Sequence, residues 1–187
     1  MRNQPPFQTS YQLGVTLVEM VVVIVILGIA LTTITQMLAQ NTVSGAYTYD
    51  ETKAIELAQS YSSEIKAKRF DENSPVGGVP PCDAPSAAAC TAVGSLGSEP
   101  GESARTAFDD VDDYDDLDEG SGSLKALLDA EGNIRTGYEN FRVQVQVTYS
   151  GDVAPRSGSV SDSKKVVLTI TQPNGEALDF TFHRANY

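Results

Sequence analysis

Gly14-Val15-Thr16-Leu17-Val18-Glu19-Met20 opens a stretch that stays apolar almost to Leu38, and Glu19 is the only charged residue in it. Leu17 to Leu38 is 22 residues, enough for a helix to cross a hydrocarbon layer of about 30 Å. Val21-Val22-Val23-Ile24-Val25-Ile26-Leu27 is apolar on every side, as for a helix that faces lipid or neighbouring helices all round. Valine and isoleucine are weak helix formers in water. A bilayer overrides that weakness because it leaves no solvent partner for an unpaired backbone group. A carboxylate within such a span is unfavourable by roughly 2.5–3.5 kcal/mol or more at the bilayer centre, so it is normally absent or functional. A secretory signal peptide would place its charges before the apolar run rather than five residues past a glycine.

Outward from this segment the chain changes character twice. Met1–Gly14 is polar, contains Pro5-Pro6 and reads as an unstructured leader. Arg2 is the only cation before the span and Asp50 is the first charge after it, which favours an inside N-terminus and an outside C-terminus. Thr32, Thr33, Thr35 and Gln36 make the second half of the span more polar and the span itself marginal. From Asp50 to Phe70, Ala54, Ala58, Tyr61 and Ile65 fall on one helical stripe. Lys66, Lys68 and Arg69 suit the C-terminal end of the helix dipole. One helix from Val15 to Phe70 would be roughly 84 Å long at 1.5 Å per residue. Gly45 and a possible capping box at Thr48…Glu51 mark a weak point in it.

The C-terminal part is β. Phe141 to Tyr149 alternates without error, with Phe141, Val143, Val145, Val147 and Tyr149 on one face. Lys165–Gln172 repeats the pattern with Val166, Leu168 and Ile170. Pro173-Asn174-Gly175-Glu176 carries a strong hairpin signal, and Leu178, Phe180 and Phe182 supply the next inward face. Three antiparallel strands with one apolar face need a covering layer, and the Ala54–Ile65 stripe is the available one. Between Asp71 and Gly137 regular signals are sparse, apart from a short helical turn expected within Ser123–Ala130.

The polar leader, Gly14 and Val15-Thr16-Leu17-Val18-Glu19 together resemble the processing signal of type IV prepilins and secretion pseudopilins. Two details differ from the family's commoner pattern: the leader has a single basic residue, and Val15 stands where phenylalanine or methionine is usual. The resemblance implies a cut after Gly14 by prepilin peptidase and N-methylation of Val15. It also implies that Glu19, at the fifth mature position, pairs with the terminal amine of a neighbouring subunit. The fold implied is α+β and type IV pilin-like, a long N-terminal helix packed on a C-terminal antiparallel sheet. The expected domains are a leader at 1–14, a membrane-spanning and filament-core half-helix at 15–44, and a periplasmic head at 45–187. The head divides into a helix at 50–70, a variable acidic region at 71–137 and a sheet at 138–187. Phe108-Asp109-Asp110-Val111-Asp112-Asp113-Tyr114, Asp129-Ala130-Glu131-Gly132-Asn133 and the approach to the first strand resemble minor pilins of mannose-sensitive haemagglutinin pili. Such subunits serve attachment and biofilm formation in Gram-negative bacteria. The partners implied are prepilin peptidase, major and minor pilins met through the N-terminal helix, the inner membrane and the pilus assembly platform. The subunit would sit in the inner membrane before assembly and on the cell surface after it. A type II secretion pseudopilin and a tip adhesin with a ligand-binding head remain as alternatives.

The chain has 187 residues and a net charge of −12, from 25 acidic and 13 basic residues. That balance argues against nucleic acid, which needs a basic footprint, and provides no polybasic patch for anionic lipid. In a periplasmic head Cys82 and Cys90 would bridge, with two free thiols as the alternative; zinc would lack ligands, because His183 is the sole histidine. In many pilins the bridge closes a loop near the C-terminus, whereas here it falls early. Eight of the eleven residues from Asp109 to Glu119 are acidic. Such a run usually means a solvated, flexible loop, although Phe108, Val111, Tyr114 and Leu117 could tack one edge to the head. No register satisfies an EF-hand, and an irregular calcium site on Asp109, Asp110, Asp112 and Asp113 is the lesser expectation. No catalytic constellation is visible: His183 has no serine or cysteine partner at a telling spacing, and Gly77-Gly78 lacks the lysine of a phosphate loop. The chain reads as a non-enzyme with no cofactor.

Overall fold

A computed structural model describes residues 14–151 and 162–186, and within the helix the side chains at 39–46 are excluded. Of the leader expected to be unstructured at 1–14, residues 1–13 lie outside the described residues. The chain divides into two compact units, Met1–Tyr47 and Thr48–Tyr187. A single helix, α1, spans Leu17–Ala67. It is not interrupted at Gly45, and the capping box expected at Thr48 is not used, since Thr48 is helical and accepts a bond from the Thr52 hydroxyl at 2.8 Å. The helix stops three residues short of Phe70.

In the first unit α1 leaves its apolar side chains uncovered. Val15, Leu17 and Val18 are 65–81% exposed, and Val21 to Leu27 stay at least 46% exposed. Leu17–Leu38 is the helix stretch long and apolar enough to cross a membrane. The threonines of its second half are less costly there than their composition suggests. Thr32 donates to the Ile29 carbonyl at 2.8 Å, Thr33 to Ala30 at 2.9 Å and Thr35 to Thr32 at 2.9 Å. A hydroxyl bonded back to its own helix carries no unpaired donor into lipid.

The second unit is the head. It holds the last turns of α1 and a four-stranded antiparallel sheet, β1 (Asp118–Gly120), β2 (Arg142–Tyr149), β3 (Ser163–Thr171) and β4 (Ala177–Ala185), in that spatial order. β2, β3 and β4 follow the alternation of the sequence. β1 lies inside the acidic run, where no strand was expected. The pairing register lines inward residues into rows: Val147–Val166–Phe182, Val145–Leu168–Phe180, and Glu119–Val143–Ile170–Leu178. Val143, Val145, Val147, Val166, Leu168 and Ile170 are buried, and the β4 residues pack against them from a partly buried edge. Ala54, Ala58, Tyr61 and Ile65 belong to the same core, together with Leu57, which fills the gap in the stripe between Ala54 and Tyr61.

Asn174-Gly175 makes the β3–β4 turn as expected, with Gly175 at φ +86°. Gly120 ends β1 at φ +100°, and a Cβ there would lie 2.2 Å from the Phe141 carbonyl oxygen, so the position admits no side chain. Residues Ser123–Ala130 form no helical turn. Gly120, Ser121 and Ser123 close a tight turn instead, with the Ser123 amide donating to the Gly120 carbonyl at 3.0 Å. Cys82 and Cys90 are joined by a disulfide, and Asn186 donates to the Cys82 carbonyl at 3.0 Å.

Candidate functional site

Gly14, Val15 and Thr16 precede the helix in irregular, exposed backbone. Thr16 is the reason the helix starts at Leu17. Its Oγ1 accepts the Glu19 amide at 3.2 Å, and its carbonyl accepts the Met20 amide at 3.2 Å, which is the arrangement of an N-cap with an acidic residue three positions on. The sequence signal for this, Thr16-x-x-Glu19, is the same one read at Thr48…Glu51, where the fold does not use it. Val15 therefore lies outside α1 in the uncut chain, rather than one turn below Glu19 on a shared helix face. Glu19 is exposed, and among the described residues it forms no ion pair. A Cβ on Gly14 would meet nothing within 4 Å, so the chain's own packing places no demand on glycine at that position.

The acidic loop of the head is the second region singled out by sequence. It is not a solvated loop. Asp110, Asp112, Asp113 and Glu119 are each at most 2% exposed. Backbone amides and two cations accommodate them. Asp113 Oδ2 accepts the amides of Asp109 and Asp110 at 2.7 and 2.9 Å, and Asp110 Oδ1 accepts the Asp112 amide at 2.9 Å. Lys164, fully buried, donates to Asp71 at 3.0 Å, to Asp112 at 2.5 Å and to the Phe70 carbonyl at 2.7 Å. Asp71 also accepts the Thr91 amide beside Cys90 at 3.0 Å. One lysine thus ties the chain beyond α1, the disulfide loop, the acidic loop and β3 together.

Arg105 is the second cation. It bonds Glu64 of α1 at 3.0 Å through Nε, Glu119 of β1 at 2.8 Å and the Leu128 carbonyl at 2.9 Å. Its guanidinium lies 4.1 Å from the Tyr61 ring centre. Tyr61 donates to Glu119 and Tyr114 to Glu64, both at 2.7 Å. Burial works to raise the Glu64 carboxyl, but the Arg105 bonds and charge hold it below its usual range. Burial likewise opposes ionisation of Asp71, and Lys164 overcomes it. Asp110 goes the other way: burial, then its hydrogen bond with Asp112 and that residue's charge, push it up to about 9. Burial also pushes the Tyr61 and Tyr114 hydroxyls upward.

The four aspartates read as a possible calcium set part company. Asp109 pairs with Arg69, which also holds Glu72 at 2.8 Å. Asp110 and Asp112 point into the Lys164 neighbourhood, and Asp113 approaches Glu99 and Glu102. Lys164 was nonetheless legible. Lys164 has the same parity as Val166, Leu168 and Ile170, so it faces the core, whereas Glu119 is buried by a short strand that the sequence did not signal. Arg105, Glu99 and Glu102 sit in loops without periodicity and left no comparable signal.

An apolar, uncovered N-terminal helix leading to a head of antiparallel sheet is a type IV pilin-like α+β fold. Residues 9–35 match the family model of the prokaryotic N-terminal methylation motif. The chain is accordingly type IV prepilin-like, and the motif implies cleavage by prepilin peptidase, membrane anchoring and assembly as a structural pilin. No curated protein and no solved structure matches the chain.

Proposed function

We propose that the protein is a minor type IV pilin, of the MshD-like kind that serves mannose-sensitive haemagglutinin pili. In this reading 1–14 is the leader, 15–44 spans the inner membrane and then joins the filament core, and 45–187 is a periplasmic head later carried to the cell surface. The observation that carries it is the methylation motif over 9–35, set on the Leu17–Leu38 stretch of α1, whose apolar surface is uncovered and whose single charge is Glu19. Cleavage after Gly14 would free the Val15 amine and create a cation near a carboxylate that forms no ion pair among the described residues. In a filament the two charges of neighbouring subunits attract by about 4 kcal/mol at 4 Å and an effective dielectric near 20, before desolvation is counted. Either charge left alone in the apolar core is unfavourable, so the pair selects one axial register. The prepilin peptidase, other pilins and the assembly platform are the partners this implies.

The test is the mass of the mature protein from cells that contain the peptidase. Loss of residues 1–14 with gain of one methyl is expected, and recovery of the intact 187-residue chain overturns the reading. Glu19→Ala should still be processed and methylated but should fail to restore pili in a strain lacking the native gene. Normal pilus number in that strain would remove the register role.

A further inference from the structure

Among the described residues of the head, three groups of acidic or thiol side chains are close enough to be candidates for sharing an ion. Two are already accounted for. Asp71 with Cys82 and Cys90 comprises a disulfide and a carboxylate held by Lys164. In the group of Glu72, Asp109 and Asp110, Arg69 pairs with Glu72 and Asp109. The third, Glu99 with Glu102 and Asp113, has no lysine, arginine or histidine paired to it among the described residues.

One oxygen of each residue is also withdrawn from water, although the Glu99 and Glu102 side chains as a whole are only half-buried. Asp113 is 2% exposed. With Oδ2 occupied by two backbone amides, its Oδ1 is the oxygen left over, and that atom is buried with no hydrogen-bond partner. Glu99 Oε2 and Glu102 Oε2 are buried and unpartnered as well. The two glutamates are set side by side by a turn in which the Glu102 amide donates to the Glu99 carbonyl at 3.0 Å. Each residue brings one carboxylate oxygen to within 4.8 Å of the others. Two oxygens that share a calcium ion, each about 2.4 Å from it, lie at most about 4.8 Å apart, and each pair in this group meets that limit. Buried acceptors without donors are rare in folded proteins and call for an explanation. Three of them converging from acidic groups are satisfied either by protons shared among the carboxyls, where burial and then the hydrogen bonds with Asp113 and Glu99 push Glu102 up to about 7, or by a cation.

We propose that Glu99, Glu102 and Asp113 form a divalent cation site of the head and that its ion is calcium. The donor set is wholly carboxylate, which favours a hard ion over zinc or copper. Three protein oxygens on two loops, with the remaining positions left to water and backbone carbonyls, suit the loose coordination of calcium better than the strict octahedron of magnesium. The bound ion joins the turn at 99–102 to the acidic loop on the side away from Lys164.

The full-length chain in detergent, stripped with EDTA and dialysed, is titrated with CaCl2 in a calorimeter, with MgCl2 as a separate arm. One saturable calcium site is expected, with Kd on the order of 0.1–1 mM, the range of extracellular calcium modules. Glu99→Gln/Glu102→Gln should weaken it by about tenfold or more, whereas Glu72→Gln, in the neighbouring acidic group, should leave it unchanged. Melting temperature should rise with calcium in the parent chain and not in the double variant. The single Glu102→Gln chain carries the same expectation if the double variant does not fold. Absence of saturable binding up to about 10 mM calcium, equal affinity in the double variant, or a preference for magnesium would each overturn the assignment.

Discussion

The two units of this chain place charge and hydrocarbon in opposite ways. From Val15 to Leu38 the apolar side chains point outward and a single carboxylate, Glu19, stands exposed among them. In Thr48–Tyr187 the apolar side chains are inside, yet so are Lys164, Arg105, Asp71, Asp112 and Glu119. A charge is tolerated in apolar surroundings only when an opposite charge and hydrogen bonds accompany it. The head supplies those partners from its own chain. Among the described residues Glu19 has no such partner, and in the proposed reading the partner is the freed amine of a neighbouring subunit.

The comparison can be broken first at the N-terminus, where the effect is all or none. Gly14→Val should leave the precursor uncut, as read by the N-terminal mass, while the melting of the head stays unchanged. A shifted melting temperature would mean that Gly14 has a structural part. Next comes Lys164→Met, which leaves Asp71 and Asp112 buried without their cation. It should destabilise the head by about 3–5 kcal/mol in urea unfolding of the detergent-solubilised chain. Asp71→Asn/Asp112→Asn combined with Lys164→Met should recover part of that loss. A loss below about 1 kcal/mol for the single change would show that the lysine is effectively solvated.

Removing the bridge is a smaller perturbation. Cys82→Ser/Cys90→Ser should cost about 2–3 kcal/mol, the chain-entropy value for so short a loop. The Asp71–Thr91 bonds should keep the loop in place, so the core melts in the same single transition. The smallest effect is at Asp110. Its carboxyl binds a proton more tightly in the folded than in the unfolded chain. Its stabilising contribution is therefore full below about pH 4 and declines as pH rises towards about 9. Asp110→Asn mimics the protonated form and should raise stability at pH 7 by about 1–2 kcal/mol, with less gain at pH 5. Glu64 and Asp71 act in the opposite sense: their lowered pKa values lend stability that is lost as pH falls below their unfolded values near 4. Unfolding midpoints at pH 3, 5 and 8 separate the two trends.

Much of this was readable beforehand because periodic elements announce themselves. The span at Leu17–Leu38, the stripe from Ala54 to Ile65, the alternation of β2, β3 and β4 and the Asn174-Gly175 turn all carry their burial in their spacing. The acidic run did not, because a count of carboxylates says nothing about which backbone amides or cations will meet them. Lys164 lies 52 residues from Asp112 and 93 from Asp71, and Arg105 lies 41 from Glu64. No local pattern links residues so far apart. The start of α1 was misplaced for a related reason, since one signal, Thr-x-x-Glu, occurs twice and only its surroundings decide where a helix begins.

By itself the sequence determined a processing signal, an apolar helix with one charge and an antiparallel sheet, because each follows from the identity and spacing of neighbouring residues. Only the tertiary structure decided that the acidic loop folds inward, which carboxylates Lys164 and Arg105 neutralise, and which three are left facing one another at Glu99, Glu102 and Asp113. Electrostatic pairing depends on distance in space and on the exclusion of water, and neither exists until the chain has closed on itself.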